Sequence, residues 1–104
     1  MGLFSLFGLG NAKIKEALRR GAVVIDVRTA QEFDLGKVPD SINIPVDRIT
    51  ANAERIKKMN RPVVFCCVSG ARSGQAVRIM KEKGLKEVLN GNSWQNVLKI
   101  VNSL

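Results

Sequence analysis

Apolar positions along the chain follow two rhythms that alternate. After Asn11, a good helix N-cap, Ile14, Ala17 and Leu18 fall on one helical face, and Gly21 ends the helix. Next comes "AVVIDV" (22–27), a continuous apolar run rich in β-branched residues, which predicts a strand buried on both faces. "TAQEFDLG" (29–36) reads as a short helix begun by Thr29 and ended by Gly36. "SINIP" (41–45) is a second brief strand closed by Pro45. Val46, Ile49, Ala53 and Ile56 recur at helical spacing and predict a helix to about Met59. "PVVFC" (62–66) is another buried strand, and residues 73–83 form a helix ended by Gly84. "KEVLN" (86–90) is the last strand. Trp94, Val97, Leu98 and Val101 give a final amphipathic helix capped by Ser93.

Strands alternating with helices predict an α/β fold: a central, mostly parallel β-sheet flanked by helices on both faces. No linker, repeat or low-complexity segment divides the chain, so residues 11–104 are expected to form a single domain. Residues 1–10, "MGLFSLFGLG", form an apolar N-terminal tail. The tail is too short to span a bilayer, which needs about 20 apolar residues. It lacks the basic start of a secretory signal, and Leu6 stands where a myristoylation signal needs Ser or Thr. The plain expectation is a flexible or self-packing tail. The alternatives are contact with a membrane surface or, through Phe4 and Phe7, with a second copy.

Composition narrows the chemistry. Among 104 residues there is no histidine, which removes every mechanism that needs a histidine base or metal ligand. Only two cysteines occur, Cys66 and Cys67, and adjacent cysteines are poorly placed to bond to each other. Both are read as thiols in a reducing compartment, so a cytoplasmic location is expected. Neither a metal nor a cofactor is called for. The net charge of +8 is spread along the chain and suits small anions or acidic partners. Nucleic acid is not expected: no run of like charge exceeds two, and the aromatic residues are not interleaved with basic ones.

The candidate chemistry sits in "VVFCCVSGARSGQA" (63–76), between a strand and a helix, at the edge of the sheet where sites of such folds lie. A loop of small residues can turn successive N–H groups inward and form an anion cradle, here from Val68, Ser69, Gly70, Ala71 and Ser73. The following helix adds its positive N-terminal end. Ser69 and Ser73 are candidate caps of that helix, and Arg72 can aim its guanidinium at the cradle. A cysteine at the rim would be acidified into a nucleophile without a histidine base. Two registers fit. From Cys67 the spacing to Arg72 is C-x4-R, as in a sulfur-transfer loop. From Cys66 it is C-x5-R followed by Ser73, as in a cysteine-phosphatase loop.

Three segments together resemble the single-domain rhodanese sulfurtransferases: "VVIDVRTAQEFDLGKVPDSINIP" (23–45), "PVVFCCVSGARSGQAVRIMKEKG" (62–84) and "EVLNGNSW" (87–94). The resemblance implies a catalytic cysteine that cycles through a persulfide, fed by a small anionic sulfur donor such as thiosulfate. The acceptor would be cyanide or a thiol, a protein thiol included. It also implies the register, because rhodanese loops place a glycine three residues after the cysteine. Gly70 stands at that position from Cys67, so Cys67 is the expected nucleophile, with Arg72 beside it and Cys66 packed beneath the loop. Phosphatases on this fold remain the rival, but Phe65 replaces the histidine that usually precedes their cysteine. A sulfur-carrier or regulatory module is a third reading. Asp26, Arg28 and Glu32 are expected to form a supporting network that holds the loop. The family often carries a histidine in the turn after the "EF" helix and a glycine after that turn's proline. Here the turn is "GKVPDS", with Asp40 after Pro39, and the late glycine pattern is reduced to "NGNSW".

Overall fold

The computed structural model describes residues 2–104, with side chains described from Gly10 onward. Four parallel strands form one sheet: β1 (Val23–Asp26), β2 (Ile42–Asn43), β3 (Val63–Cys67) and β4 (Val88–Ser93), in the order β2-β1-β3-β4. Helices α1 (Gly2–Arg19), α2 (Ala30–Leu35), α3 (Ala53–Lys58), α4 (Ala71–Glu82) and α5 (Trp94–Val101) connect or cover them. The expected α/β architecture is the observed one.

Every residue of β1 and β3 is buried, as the continuous apolar runs require. Successive side chains leave a strand on opposite faces. Val23, Ile25, Val27, Val63, Phe65 and Cys67 therefore join a core with Ala76 and Met80 of α4 and Ile56 of α3. Val24, Val64 and Cys66 join the opposite core with Ile14 and Ala17 of α1 and Val97 and Ile100 of α5. The two neighbouring cysteines thus belong to different faces of the molecule.

Three local expectations differ from the structure. Helix α1 does not start at Asn11 but runs unbroken from Gly2. Asn11 lies inside it, and its side-chain oxygen accepts from Asn96 Nδ2 at 3.2 Å instead of capping. The side chains of residues 1–9, Phe4 and Phe7 among them, lie outside the described residues. The expected helix over 46–59 begins as two 3-10 turns, Val46–Arg48 and Thr50–Asn52, before α3. Val46 and Ile49 are three apart, which suits three residues per turn as well as it suits an α-helix. Helix α4 starts at Ala71 rather than Ser73, with Gly70 at its N-cap and no side-chain cap.

Other local readings hold. Thr29 caps α2 through a reciprocal box: Glu32 N–H donates to Thr29 Oγ1 at 3.2 Å, and Thr29 N–H donates to Glu32 Oε1 at 2.9 Å. Ser93 caps α5, accepting from Asn96 N–H at 3.0 Å. Asp40, in the turn that departs from the family pattern, and Asn92, near the end of β4 where the late glycine pattern is reduced, take φ of 67° and 68°. Asp and Asn are among the few side chains that tolerate this region, which accounts for their use where the backbone favours glycine.

Candidate active site

All four strands run parallel, so the segments that follow β1, β3 and β4 emerge at one end of the sheet. Cys67 is the last residue of β3. After it the chain turns through Val68, Ser69 and Gly70 into α4. Gly70 has φ 102°, and a Cβ there would lie 2.8 Å from Asn92 Oδ1, so both conformation and space demand glycine. The turn brings Gly70 N–H to Cys67 Sγ at 3.0 Å. Ser73, the third residue of the helix, sets its hydroxyl 3.4 Å from the same sulfur. Burial pushes the Cys67 thiol up. Hydrogen bonds from the Ser73 hydroxyl and from the backbone N–H groups of Ser73, Gly70 and Ser69 outweigh burial and bring it below the ordinary thiol value.

Cys66 is the opposite case. It is fully buried, and desolvation, reinforced by the Asp26 charge, drives its thiol far above the ordinary range. Brief treatment with iodoacetamide near neutral pH is therefore expected to label Cys67 and leave Cys66 unmodified in the folded protein. Cys67 labelling persists below the ordinary thiol pKa and fades only as pH falls through its own lowered value. Peptide mapping checks this, and label mainly on Cys66 would contradict the geometry.

The remaining loop residues divide by role. Ser69 and Ala71 are exposed at the mouth, and Val68 is 53% exposed, so the cradle uses their backbones rather than their side chains. Ser73, expected as a cap, instead donates to Asn90 Oδ1 at 2.6 Å. Asn90 Oδ1 also accepts Asn92 N–H at 2.9 Å, while Nδ2 donates to Gly70 O at 3.0 Å. These contacts fix the orientation of the Asn90 amide. The Ser73 hydroxyl then has one proton and two neighbours. Facing a thiol it donates to Asn90 and accepts from Cys67; facing a thiolate it can turn its proton to sulfur. Asn90 is not among the residues expected at the site, because in the sequence it reads as the end of a strand. The signal available was its place: a polar residue at the same carboxyl edge of the sheet as Cys67. Gly91 next to it is buried, and a Cβ there would meet Val97, Val64 and Phe65 O at 2.6–3.0 Å, so a side chain is excluded.

Arg72 does not point free into the cradle. Its guanidinium grips the Glu32 carboxylate with Nη1 to Oε1 at 2.7 Å and Nη2 to Oε2 at 3.0 Å. The Arg72 bond, followed by the Thr29 N–H, holds the Glu32 carboxyl down at about 2. The hydrogen bonds to Glu32 raise Arg72 in turn, and the Cys67 charge favours its protonated form as well.

Beneath this pair lies a second arginine. Arg28 and Asp26 are 3% and 0% exposed and joined by Nη2 to Oδ2 at 2.6 Å and Nε to both carboxylate oxygens at 2.9–3.0 Å. Arg28 also donates to Glu32 O at 3.1 Å and Gly36 O at 2.6 Å, and lies 4.9 Å from the Trp94 ring centroid. Asn43 Nδ2 ties down Asp26 O and Arg28 O at 3.0 and 2.9 Å. Asp26 and Arg28 thus hold α2 against the sheet, and Glu32 at the start of α2 reaches Arg72. Hydrogen bonds therefore run from Asp26 through Arg28 and Glu32 to Arg72, with Glu32 as the joint. Among the described residues no cluster of Cys, Asp or Glu could hold a metal ion.

Residues 11–94 match the Rhodanese-like domain. The chain belongs to the rhodanese-like domain family. It is 38% identical over 68 residues to a sulfurtransferase of Allochromatium vinosum, a match covering 65% of this chain and 63% of that one. It is 36% identical over 76 residues to the thiosulfate sulfurtransferase GlpE of Pseudomonas savastanoi pv. phaseolicola, covering 70% and 69%. A structure of an E. coli rhodanese with anions superposes with a TM-score of 0.67 at 30% identity, over 73% of this chain and 91% of that one. Matches to its first curated relatives span between 36% and 63% of their lengths. The rhodanese-like assignment agrees with the fold, with the place of Cys67 at the end of β3, and with a glycine in the left-handed conformation three residues on.

Proposed function

We propose that this rhodanese-like chain is a sulfurtransferase that carries sulfane sulfur on Cys67. The observation that carries the reading is the Cys67 sulfur receiving the Gly70 N–H at 3.0 Å inside a loop that opens a 12-residue helix. Such a loop stabilises negative charge on whichever sulfur ends the side chain.

The Cys67 thiolate attacks the outer sulfur of thiosulfate. The S–S bond to the sulfonate breaks, sulfite leaves with the bonding pair, and Cys67 becomes a persulfide anion. Charge is conserved: thiolate plus dianion becomes persulfide anion plus sulfite dianion. The lengthened anion moves outward toward the cradle N–H groups and the Arg72–Glu32 pair. An acceptor, cyanide in the test tube or a thiolate in the cell, then attacks the outer sulfur and regenerates the Cys67 thiolate. The cellular acceptor fits best as a thiol, on a small molecule or a protein, in a reducing cytoplasm. No helix among the described residues is long and apolar enough to cross a membrane.

Two half-reactions through one covalent carrier make the expected kinetics ping-pong. Initial rates against thiosulfate at several cyanide concentrations should give parallel double-reciprocal lines. Lines that intersect would mean that both substrates bind before sulfur moves, and the persulfide cycle would be abandoned. The phosphatase register loses support from the burial of Cys66 and its raised thiol.

A further inference from the structure

Arg72 stands in the first turn of α4, two residues after Gly70 at the end of a loop whose N–H groups already favour anions. Left alone it would add a full positive charge to the mouth of the site. Glu32 removes it, because its carboxylate takes both Nη groups at 2.7 and 3.0 Å. The carboxylate is itself held from behind, accepting Thr29 N–H at 2.9 Å within the cap of α2, while the Glu32 carbonyl accepts from Arg28 at 3.1 Å. The pair is therefore built into two helix starts and does not depend on one flexible contact. Both side chains are about a third exposed, at 33% and 34%, so the pair faces the solvent from which a donor arrives.

We propose that Glu32 is a specificity-determining residue: by neutralising Arg72 at the cradle mouth, it favours singly charged sulfane donors, such as persulfides, over dianionic ones such as thiosulfate. The proposal deepens the sulfur-transfer reading and rests on it for the identity of the substrate. The physical basis is simple. A guanidinium has more N–H groups than Glu32 consumes, so Arg72 still donates hydrogen bonds to a bound donor. What it lacks, once paired, is the net charge that distinguishes a dianion from a monoanion. A persulfide anion carries one charge and is served by the loop N–H groups. Thiosulfate brings a second charge to a mouth that holds Arg72 and Glu32 in balance.

Glu32→Gln isolates this effect, because glutamine keeps the length, the packing and the ability to complete the cap with Thr29. The primary measurement is the ratio of Cys67 alkylation rates by iodoacetate and by iodoacetamide, reagents that differ by one negative charge. It needs no sulfur transfer. The variant should raise that ratio by about 3-fold or more. A loosened loop would move both rates together and leave the ratio unchanged.

The second measurement compares two donors of like chemistry, thiosulfate (a dianion) and benzenethiosulfonate (a monoanion that leaves as benzenesulfinate). In the variant, KM for thiosulfate should fall relative to KM for benzenethiosulfonate, with kcat for the two changing in parallel. An unchanged alkylation ratio, or a change in KM by the same factor for both donors, would overturn the proposal and leave Glu32 as a brace. If the native protein took sulfur from neither donor, the sulfur-transfer reading would fail, and the alkylation ratio would still decide what Glu32 does to charge at the site.

Discussion

Replacing Cys67 by Ser should reduce thiosulfate:cyanide sulfur transfer by more than about 1,000-fold while leaving the fold intact. The hydroxyl is nearly isosteric with the thiol and can accept the Gly70 N–H that the sulfur accepts now. It cannot replace the chemistry. A serine hydroxyl is a far weaker acid than a thiol and stays protonated in the same cradle, and the chain has no histidine to act as a base. Cys66→Ser tests the rival register in the same assay. Cys66 sits on the other face of the sheet, among residues of α1 and α5, so its replacement should change stability more than turnover. Activity that survives in Cys67→Ser and vanishes in Cys66→Ser would reverse the assignment.

The second large effect concerns Arg28. Arg28→Met should destabilise the protein by about 3–5 kcal/mol, because it leaves the Asp26 carboxylate buried without its partner. Asp26 is fully buried, and Arg28 supplies three of its side-chain contacts at 2.6–3.0 Å. The same change strips a donor from Glu32 O and Gly36 O, so α2 loses its tie to the sheet. Against a total stability of about 5–15 kcal/mol for a small domain, this is a large fraction. The thermal midpoint should fall by more than about 10 °C. A double replacement, Asp26→Leu with Arg28→Met, should be less damaging than Arg28→Met alone, since no charge is then stranded. Thermal unfolding followed by circular dichroism measures both. A single variant within about 1 kcal/mol of the native protein would show that water or a neighbour satisfies Asp26 without Arg28.

What could be read from the sequence, and what could not, follows from the range of the interactions. Strands β1 and β3 were legible because burial on both faces demands an unbroken apolar run, and "VVID" and "VVFCC" provide one. Thr29 and Ser93 were legible as caps because capping is decided within four residues. The left-handed turn at Gly70 and its closeness to the Cys67 sulfur follow the loop pattern, again a local matter.

The misreadings come from contacts made at a distance. Ser73 resembled a cap until Asn90, 17 residues on, took its proton. Asn11 has the right side chain for an N-cap, but nothing before it forces the chain out of a helix, and its oxygen is used by Asn96 instead. Arg72 was expected to aim its guanidinium at the cradle, and spacing gave no sign that Glu32, 40 residues earlier, would take it. Spacing in the chain could place Asp26, Arg28 and Glu32 near the loop. It could not show that Glu32 is the joint between a buried ion pair and the mouth of the site. That depends on how α2 docks over the sheet, through the Arg28 bond to Gly36 O and the approach of Trp94 to Gly36, where a Cβ would come within 2.9 Å of Trp94 Cη2.

The central claim, that Cys67 carries the transferred sulfur, is tested most directly by the intact mass of the protein after brief incubation with thiosulfate and removal of excess donor. The account predicts a gain of one sulfur, about 32 Da, which maps to the peptide containing Cys67, disappears on addition of cyanide, and is absent from Cys67→Ser. An unchanged mass in the native protein, or a gained sulfur that maps to Cys66, would contradict it.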